Sequence, residues 1–228
     1  MKRPVRVLLV GAAGRMGKTI VDLAKNDPKI DIVAQCDLGD PIDPAIKKSD
    51  VAIDFSHPDA IEEICSAALQ HRQPLVIGTT GHSAEQRSVI EKAAKAVPIV
   101  FASNFSVGVN ALFALTHRAA EVLGREFHRE IVETHHRTKK DAPSGTAKTL
   151  SEILSKARRI DDQIPIQSIR EGDVVGEHTV IFAGPGERLE LSHKASSREI
   201  FGRGALRAAQ WVIGKPPKLY SMQDVLGL

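Results

Sequence analysis

The stretch "ETHHRTKKDAPSGTA", residues 133–147, sets two adjacent histidines, an arginine and two lysines just before Pro143-Ser144-Gly145-Thr146, which reads as the start of a helix. Imidazole changes charge near neutral pH and is a natural proton donor or acceptor. A lysine beside another cation in a desolvated site is shifted down far enough to act as an acid. Backbone N–H groups at a helix start, with cations close by, form a receptor for one or two carboxylates. His135 and His136 end a predicted strand, and Arg137, Lys139 and Lys140 follow them. Adjacent histidines can also ligate a metal. Neighbours on a strand point to opposite faces, however, and no third ligand stands at a useful spacing, so no metal is expected. A solvated basic loop is the plain alternative.

A second chemical feature lies near the N-terminus. "VLLVGAAGRMGKTIVDLA" carries Gly11, Gly14 and Gly17 in a GxxGxxG spacing, at a predicted junction of strand and helix. Backbone approach to a pyrophosphate needs such a turn: glycines remove Cβ atoms, and the helix N-terminus offers unpaired N–H groups and a positive dipole end. Asp37 ends the second predicted strand about 20 residues later, where a carboxylate accepts from ribose hydroxyls and disfavours a 2′-phosphate. Leu38 follows it, so no arginine stands there to favour NADPH; Arg15 compensates in part, and NADH is the expected preference. A glycine turn used only for helix–strand packing is the alternative. Two more loops, "GTTGHS" (78–83) and "ASNFSVGVN" (102–110), fall at predicted strand ends. Thr79, Thr80, Ser103 and Asn104 could each cap a helix. Together, at consecutive strand ends of one sheet, they suggest the nicotinamide end of a cofactor site.

The elements that must position these groups are read from periodicity. Runs at 5–10, 31–36, 51–55, 74–78 and 98–102 are apolar and strand-like, with helical patterns to about Lys25 and over 59–70 and 83–96 between them. That alternation predicts βαβ units and a parallel, Rossmann-type sheet covered on both faces. The 31–55 stretch leaves room only for a loop or one helical turn. From about residue 105 the pattern changes. A helix over 108–123, a strand through "HREIVETHH", a helix to about Arg159 and three alternating runs at 164–170, 176–184 and 187–195 predict a smaller α+β domain with a mixed or antiparallel sheet open on one face. A closing amphipathic helix is expected over 199–214. His178 and His193 fall in strands and read as structural; His57, His71 and His82 read as loop or surface.

Composition narrows the function classes. The chain has 228 residues, 42% of them hydrophobic, and a net charge of +3, too small to imply nucleic acid, while 4% aromatic content supplies no stacking platform. Two isolated cysteines, Cys36 and Cys65, read as reduced thiols of a cytoplasmic protein. The charged start followed by "VRVLLV" is expected to be a first strand rather than an export signal. No apolar stretch approaches the ~20 residues of a membrane span.

Taken together, "VGAAGRMG", "DFSHPDA", "GTTG", "ASNFSVGVN", "ETHHRTKKDAPSGTA", "VGEHTVIFAGPGERLELSHKASSR" and the terminal "DVL" resemble, in order and over nearly the whole chain, the 4-hydroxy-tetrahydrodipicolinate reductase family of lysine biosynthesis. The resemblance implies that Gly11, Ala12, Ala13, Gly14, Arg15, Met16 and Asp37 hold the adenosine and pyrophosphate of NADH or NADPH. Gly78, Thr79 and Thr80, with Ala102, Ser103, Asn104 and Phe105, would hold the nicotinamide half. His135 would exchange a proton, Lys139 would be a further proton donor, and His136, Gly145 and Thr146 would contact a cyclic dicarboxylate substrate. It implies a dinucleotide-binding domain over 1–106, completed by 199–228, a substrate-binding domain over 107–198, and a homotetramer assembled through the substrate-domain sheet. Arg137 and Lys140 remain electrostatic support. The chain departs from many members in its short stretch from Arg158 to Asp173, which touches none of these positions.

Overall fold

Strand β1 (Val5–Val10) shows how the first unit is built. Val7 and Leu9 project into one core, Leu8 and Val10 into another, and none of the four is more than 3% exposed. A strand with no polar side must lie within a sheet covered on both faces. In the computed structural model, which describes residues 3–158 and 164–228, that sheet has six strands, all parallel. β1 pairs with β2 (Ile30–Cys36) on one side and β3 (Val51–Asp54) on the other. Beyond β3 come β4 (Leu75–Ile77), β5 (Ile99–Phe101) and, at the edge, β10 (Leu219–Tyr220), the last strand of the chain. Helices α1 (Arg15–Ala24), α7 (Glu199–Val212) and α8 (Met222–Leu226) cover one face, while α2 (Ile42–Ile46), α3 (Ile61–His71) and α4 (Ala84–Ala93) cover the other. Strand order reverses at β1, and in an open parallel sheet the crevice outside the strand C-termini at such a switch is where ligands bind.

The second unit carries α5 (Val107–Val122), β6 (His128–His135), α6 (Gly145–Arg158), β7 (Ile166–Arg170), β8 (Gly176–Gly184) and β9 (Glu187–Ala195). Its sheet runs β7-β6-β8-β9, with β7 parallel to β6 and the other pairs antiparallel. Leu112 and Phe113 of α5 and Leu150 and Leu154 of α6 bury one face of it against Ile131, Val180 and Phe182. The chain divides into Met1–Phe105 with Glu199–Gly227, and Ser106–Arg198 with Leu228.

The parallel and mixed sheets agree with the sequence reading. Two elements were not anticipated, β10 and α8. Two strand residues carry no readable period, and β10 is defined only by its pairing with Ile99 and Val100. The expected end of α6 near Arg159 lies outside the described residues.

Gly204 of α7 lies against the carbonyl of Phe105, and a Cβ there would overlap that oxygen. Backbone cannot yield as a flexible side chain does, so Gly204→Ala should cost about 1–3 kcal/mol through overpacking. Thermal unfolding beside Arg207→Ala, on the exposed side of the same helix, checks it. Equal melting temperatures would show that α7 can shift without cost.

Candidate active site

In the first unit the turn after β1 is shaped by backbone crowding. Gly11 has φ +84°, a Cβ on it would strike the carbonyl of Phe55, and one on Gly17 would strike Gly11 and Ala12. Only glycine satisfies both demands at Gly11. Gly14 is the N-cap of α1, which has neither a side-chain cap nor an acidic residue in its first turn, so its leading amides are suited to an anion. Asp37, just past β2, accepts the Ala13 N–H on both carboxylate oxygens at 3.0 Å. A groove of about 370 Å³ opens between Ala12, Ala13, Lys18 and Asp37. Arg15 is exposed and Met16 half-buried.

The loops after β3, β4 and β5 lie beside it in the strand order. Asp54, 1% exposed, accepts from the Ser56 amide at 3.0 Å and the Ser56 hydroxyl at 2.5 Å. Burial pushes the Asp54 carboxyl up, against the hydrogen bonds that pull it down. The Ser56 amide also donates to the Thr79 hydroxyl at 2.9 Å, so the buried Thr79 side chain ties two loops together. Gly78 leaves room for the Phe55 ring, and Thr80 is exposed. Ala102 and Asn104 are half-buried and Ser103 exposed, whereas the Phe105 ring sits in the core, 5.7 Å from that of Phe55. His82 corrects the sequence reading: it lies in a loop, yet it is 7% exposed and packs edge-on against Phe101 at 5.6 Å. Burial pushes its pKa down. His71, by contrast, is not in a loop: it is half-buried, ends α3 and pairs with Asp43 at 2.8 Å.

The second unit builds the other cluster from strand register. Glu133 and His135, two apart on β6, share a face, and Glu133 stands opposite His178 of β8, itself opposite His193 of β9. Glu133 is completely buried, His135 8% and His178 4% exposed. One Glu133 oxygen, Oε2, contacts Nδ1 of His135. The other, Oε1, accepts from Arg170 at 2.9 Å and from the Ser144 N–H at 3.4 Å. His178 Nε2 lies 3.0 Å from the Ser144 hydroxyl, which also accepts the Ala147 N–H at 3.2 Å as the cap of α6. The His135 and His178 rings meet edge to face at 5.1 Å. Gly145 and Thr146 open α6, Gly145 exposed and Thr146 half-buried.

The loop between them holds the remaining predicted residues. His136 is half-buried with Nδ1 2.8 Å from Thr138 Oγ1, and Lys139 Nζ contacts both Asp141 oxygens at 2.7 and 2.8 Å. Arg137 and Lys140 are exposed. Burial works to raise the Glu133 carboxyl, but Arg170, Ser168 and His135 hold it below the usual carboxylate range. Burial pushes His135 down against the upward pull of Glu133. Burial, then the neighbouring His135, push His178 down to about 4.

Sequence reasoning missed Arg170, His178 and Ser144 as members of this cluster and assigned Glu133 no role. The chain positions of Arg170 and His178 carry no signal, because the register across β7, β6 and β8 brings them to Glu133; Ser144 was read only as part of the helix start. The same register corrects the metal argument. Among the described residues, Glu133, His135 and His178 offer three ligand atoms within 4.8 Å of one another, so a third ligand does accompany the histidine. Those atoms are engaged with one another and with Ser144, and the Arg170 guanidinium already offsets the Glu133 charge.

Residues 5–105 match the family model described as dihydrodipicolinate reductase, N-terminus, and residues 108–226 match dihydrodipicolinate reductase, C-terminus. A 4-hydroxy-tetrahydrodipicolinate reductase from Akkermansia muciniphila is 50% identical over 242 residues, covering 98% of each chain. The enzyme of the same name from Geobacter metallireducens is 40% identical, over 98% of this chain and 99% of its own. Among solved structures, dipicolinate-bound dihydrodipicolinate reductase from Paenisporosarcina sp. TG-14 has the same fold, with a TM-score of 0.84 at 24% identity over 97% of this chain and 99% of that one. An amine dehydrogenase from Mycobacterium smegmatis shares the fold more distantly, with a TM-score of 0.62 at 11% identity over 96% of this chain and 95% of that one.

The depressed pKa of His178 has a consequence for stability. Its folded value of about 4 lies below the ordinary 6.5, so the unfolded chain binds the proton more tightly. Stability is complete above about pH 6.5 and falls as pH drops towards 4, by on the order of 3 kcal/mol at most from this group. Urea unfolding at neutral and mildly acidic pH should show a shallower acid loss in His178→Gln than in wild type. Equal slopes would mean that His178 does not take up the proton.

Proposed function

The chain belongs to the dihydrodipicolinate reductase family, an oxidoreductase family of lysine biosynthesis, and on that premise we propose that it reduces 4-hydroxy-tetrahydrodipicolinate to tetrahydrodipicolinate with NADH or NADPH. One hydride and one proton are added to the ring and one water is released. The observation that carries this reading is the buried cluster of His135, Glu133 and Ser144 at the mouth of α6, inside the stretch on which the resemblance rests.

Gly11, Ala12, Ala13 and Gly14 form the turn that lets backbone approach the pyrophosphate, their amides being tied to Cys36, Asp37 and Gly11; the amides of Arg15 and Met16 at the start of α1 receive it, and Asp37 receives the ribose hydroxyls. Gly78, Thr79 and Thr80, with Ala102 to Phe105, border the nicotinamide half; Thr79 and Phe105 contribute backbone, since their side chains are engaged in the fold. Bound there, the reduced nicotinamide supplies the hydride. The amides of Gly145 and Thr146, with His136, bind substrate carboxylate, favoured by the positive end of α6. Lys139, held by Asp141, and His135 deliver the proton to the ring carbon next to the one that received hydride. The proposed chemistry uses no metal. NADH is preferred, because Asp37 repels a 2′-phosphate and Leu38 offers it no cation.

The same reading places the enzyme in the cytoplasm as a homotetramer without nucleic-acid or membrane partners. Support comes from the free Cys36 and Cys65 and from Ile169, 42% exposed on the second sheet.

The decisive assay follows NADH and NADPH oxidation by reduced-nicotinamide absorbance, with substrate made freshly from pyruvate and aspartate semialdehyde by the preceding synthase. Substrate-dependent oxidation is expected in wild type and should fall about 10²–10⁴-fold in Lys139→Ala and in His135→Ala, with NADH binding near normal, the usual range for a lost general acid. Wild-type turnover in both variants would remove the proton-transfer roles. No oxidation with either cofactor would remove the reading itself. Asp37→Ala should weaken NADH more than NADPH in equilibrium binding; an unchanged ratio would mean that Asp37 does not read the ribose.

A further inference from the structure

Glu133 belongs to the cluster above but has no assigned step in the reaction, yet among the described residues it is the most enclosed ionisable group of the second unit, with 0% exposure. The hydrogen-bond partners named for its two oxygens come from β6, β7 and the start of α6. His135 Nδ1 meets Oε2, while the Arg170 guanidinium from β7 and the Ser144 amide at the cap of α6 both donate to Oε1. Arginine and a backbone amide can only donate, and an ionised carboxylate can only accept. The proton between Glu133 and His135 must therefore sit on Nδ1. That leaves Nε2, packed near Gly176, as the ring nitrogen free to take or give a proton.

We propose that Glu133 is the positioning residue of the reaction: it holds His135 in the Nδ1–H tautomer, stabilises the imidazolium when Nε2 is protonated, and through the Ser144 amide keeps that ring in register with the carboxylate receptor at the start of α6. The catalytic part of this inference rests on the reading of His135 as the proton-exchanging group; the tautomer does not. The groups facing His135 are Glu133 on its own strand, Arg170 on β7, His178 on β8, and Lys139 and Asp141 in the following loop. Glu133 favours the protonated ring, and Arg170 and Lys139 oppose it. Without the Glu133 charge, the imidazolium would face cations that nearby Asp141 alone offsets.

Glu133→Gln tests this because glutamine has a single acceptor oxygen. Arg170 and Ser144 both donate at the Oε1 position, so the glutamine oxygen stays there, the amide NH₂ is turned toward His135 and Nδ1 must become the acceptor. The ring then carries its proton on Nε2. Long-range ¹H–¹⁵N spectra of the full-length enzyme, assigned with His135→Gln, report the tautomer directly. Wild type should show Nδ1–H and Glu133→Gln should show Nε2–H. In the same variant kcat should fall about 10²-fold or more, as when a triad carboxylate is lost and the tautomer is wrong. KM should change little, and NADH affinity should stay as in wild type. The alkaline limb of the pH–kcat profile should move to lower pH, since a ring that must be protonated to act has lost the charge that raised its pKa.

A wild-type ring protonated on Nε2 would overturn the proposal, even if Glu133→Gln failed to fold. So would a Glu133→Gln enzyme with the wild-type tautomer and an unmoved pH profile. If His135→Gln itself turned over like wild type, the proton-exchange assignment would fail, and the tautomer comparison would still judge the role of Glu133.

Discussion

The second unit depends on keeping one carboxylate ionised where no water reaches it. Removing an ion from water costs several kcal/mol even after relaxation, and only excellent geometry offsets that. Glu133 meets the condition with donors on both oxygens: a histidine, a guanidinium and a backbone amide. Each donor constrains a different element. Arg170 pins the end of β7, Ser144 pins the mouth of α6, and His135 pins the end of β6 itself. Loss of any one leaves a buried charge short of partners, which is why the cluster acts as a unit rather than as three separate contacts.

The connectivity explains why these donors converge. β6, α6 and β7 form a strand–helix–strand unit with parallel strands, so the chain leaving the end of β6 turns directly into the start of α6, and β7 returns alongside β6 in register. His135 is opposite Arg170 in that ladder. The same construction appears in the first unit, where β1 runs into the glycine turn and α1, and β2 returns to set Asp37 under Ala13. Both units thus place helix amides beside the C-terminal end of a strand, the geometry that suits anions. They differ in what surrounds those amides: glycines and a carboxylate that accepts from hydroxyls in one, imidazoles and cations in the other. On the proposed reading, that difference separates a cradle for a dinucleotide from a site for a carboxylate and a proton.

Much of this was legible in the sequence, because its causes are local. The apolar runs dictated the parallel sheet, since a strand with no polar side has only one place to go. The GxxGxxG spacing marked the turn, since Gly11 and Gly17 crowd against neighbours within a few residues or one strand away. Ser144 before an apolar-periodic helix announced the start of α6, and the histidines and Lys139 announced titratable character through residue type alone. What sequence determined, then, was which groups exist, which elements carry them and what kind of chemistry they could do. The tertiary structure decided which of them meet. His178 and Arg170, about 35 to 45 residues from His135 in the chain, reach the same carboxylate through strand register. His82 and Thr79 turned out to be buried, for they face the rest of the unit and not solvent. Strand pairing and burial follow from the free energy of the whole chain, and a one-residue slip in register would carry His178 to the other face of its sheet.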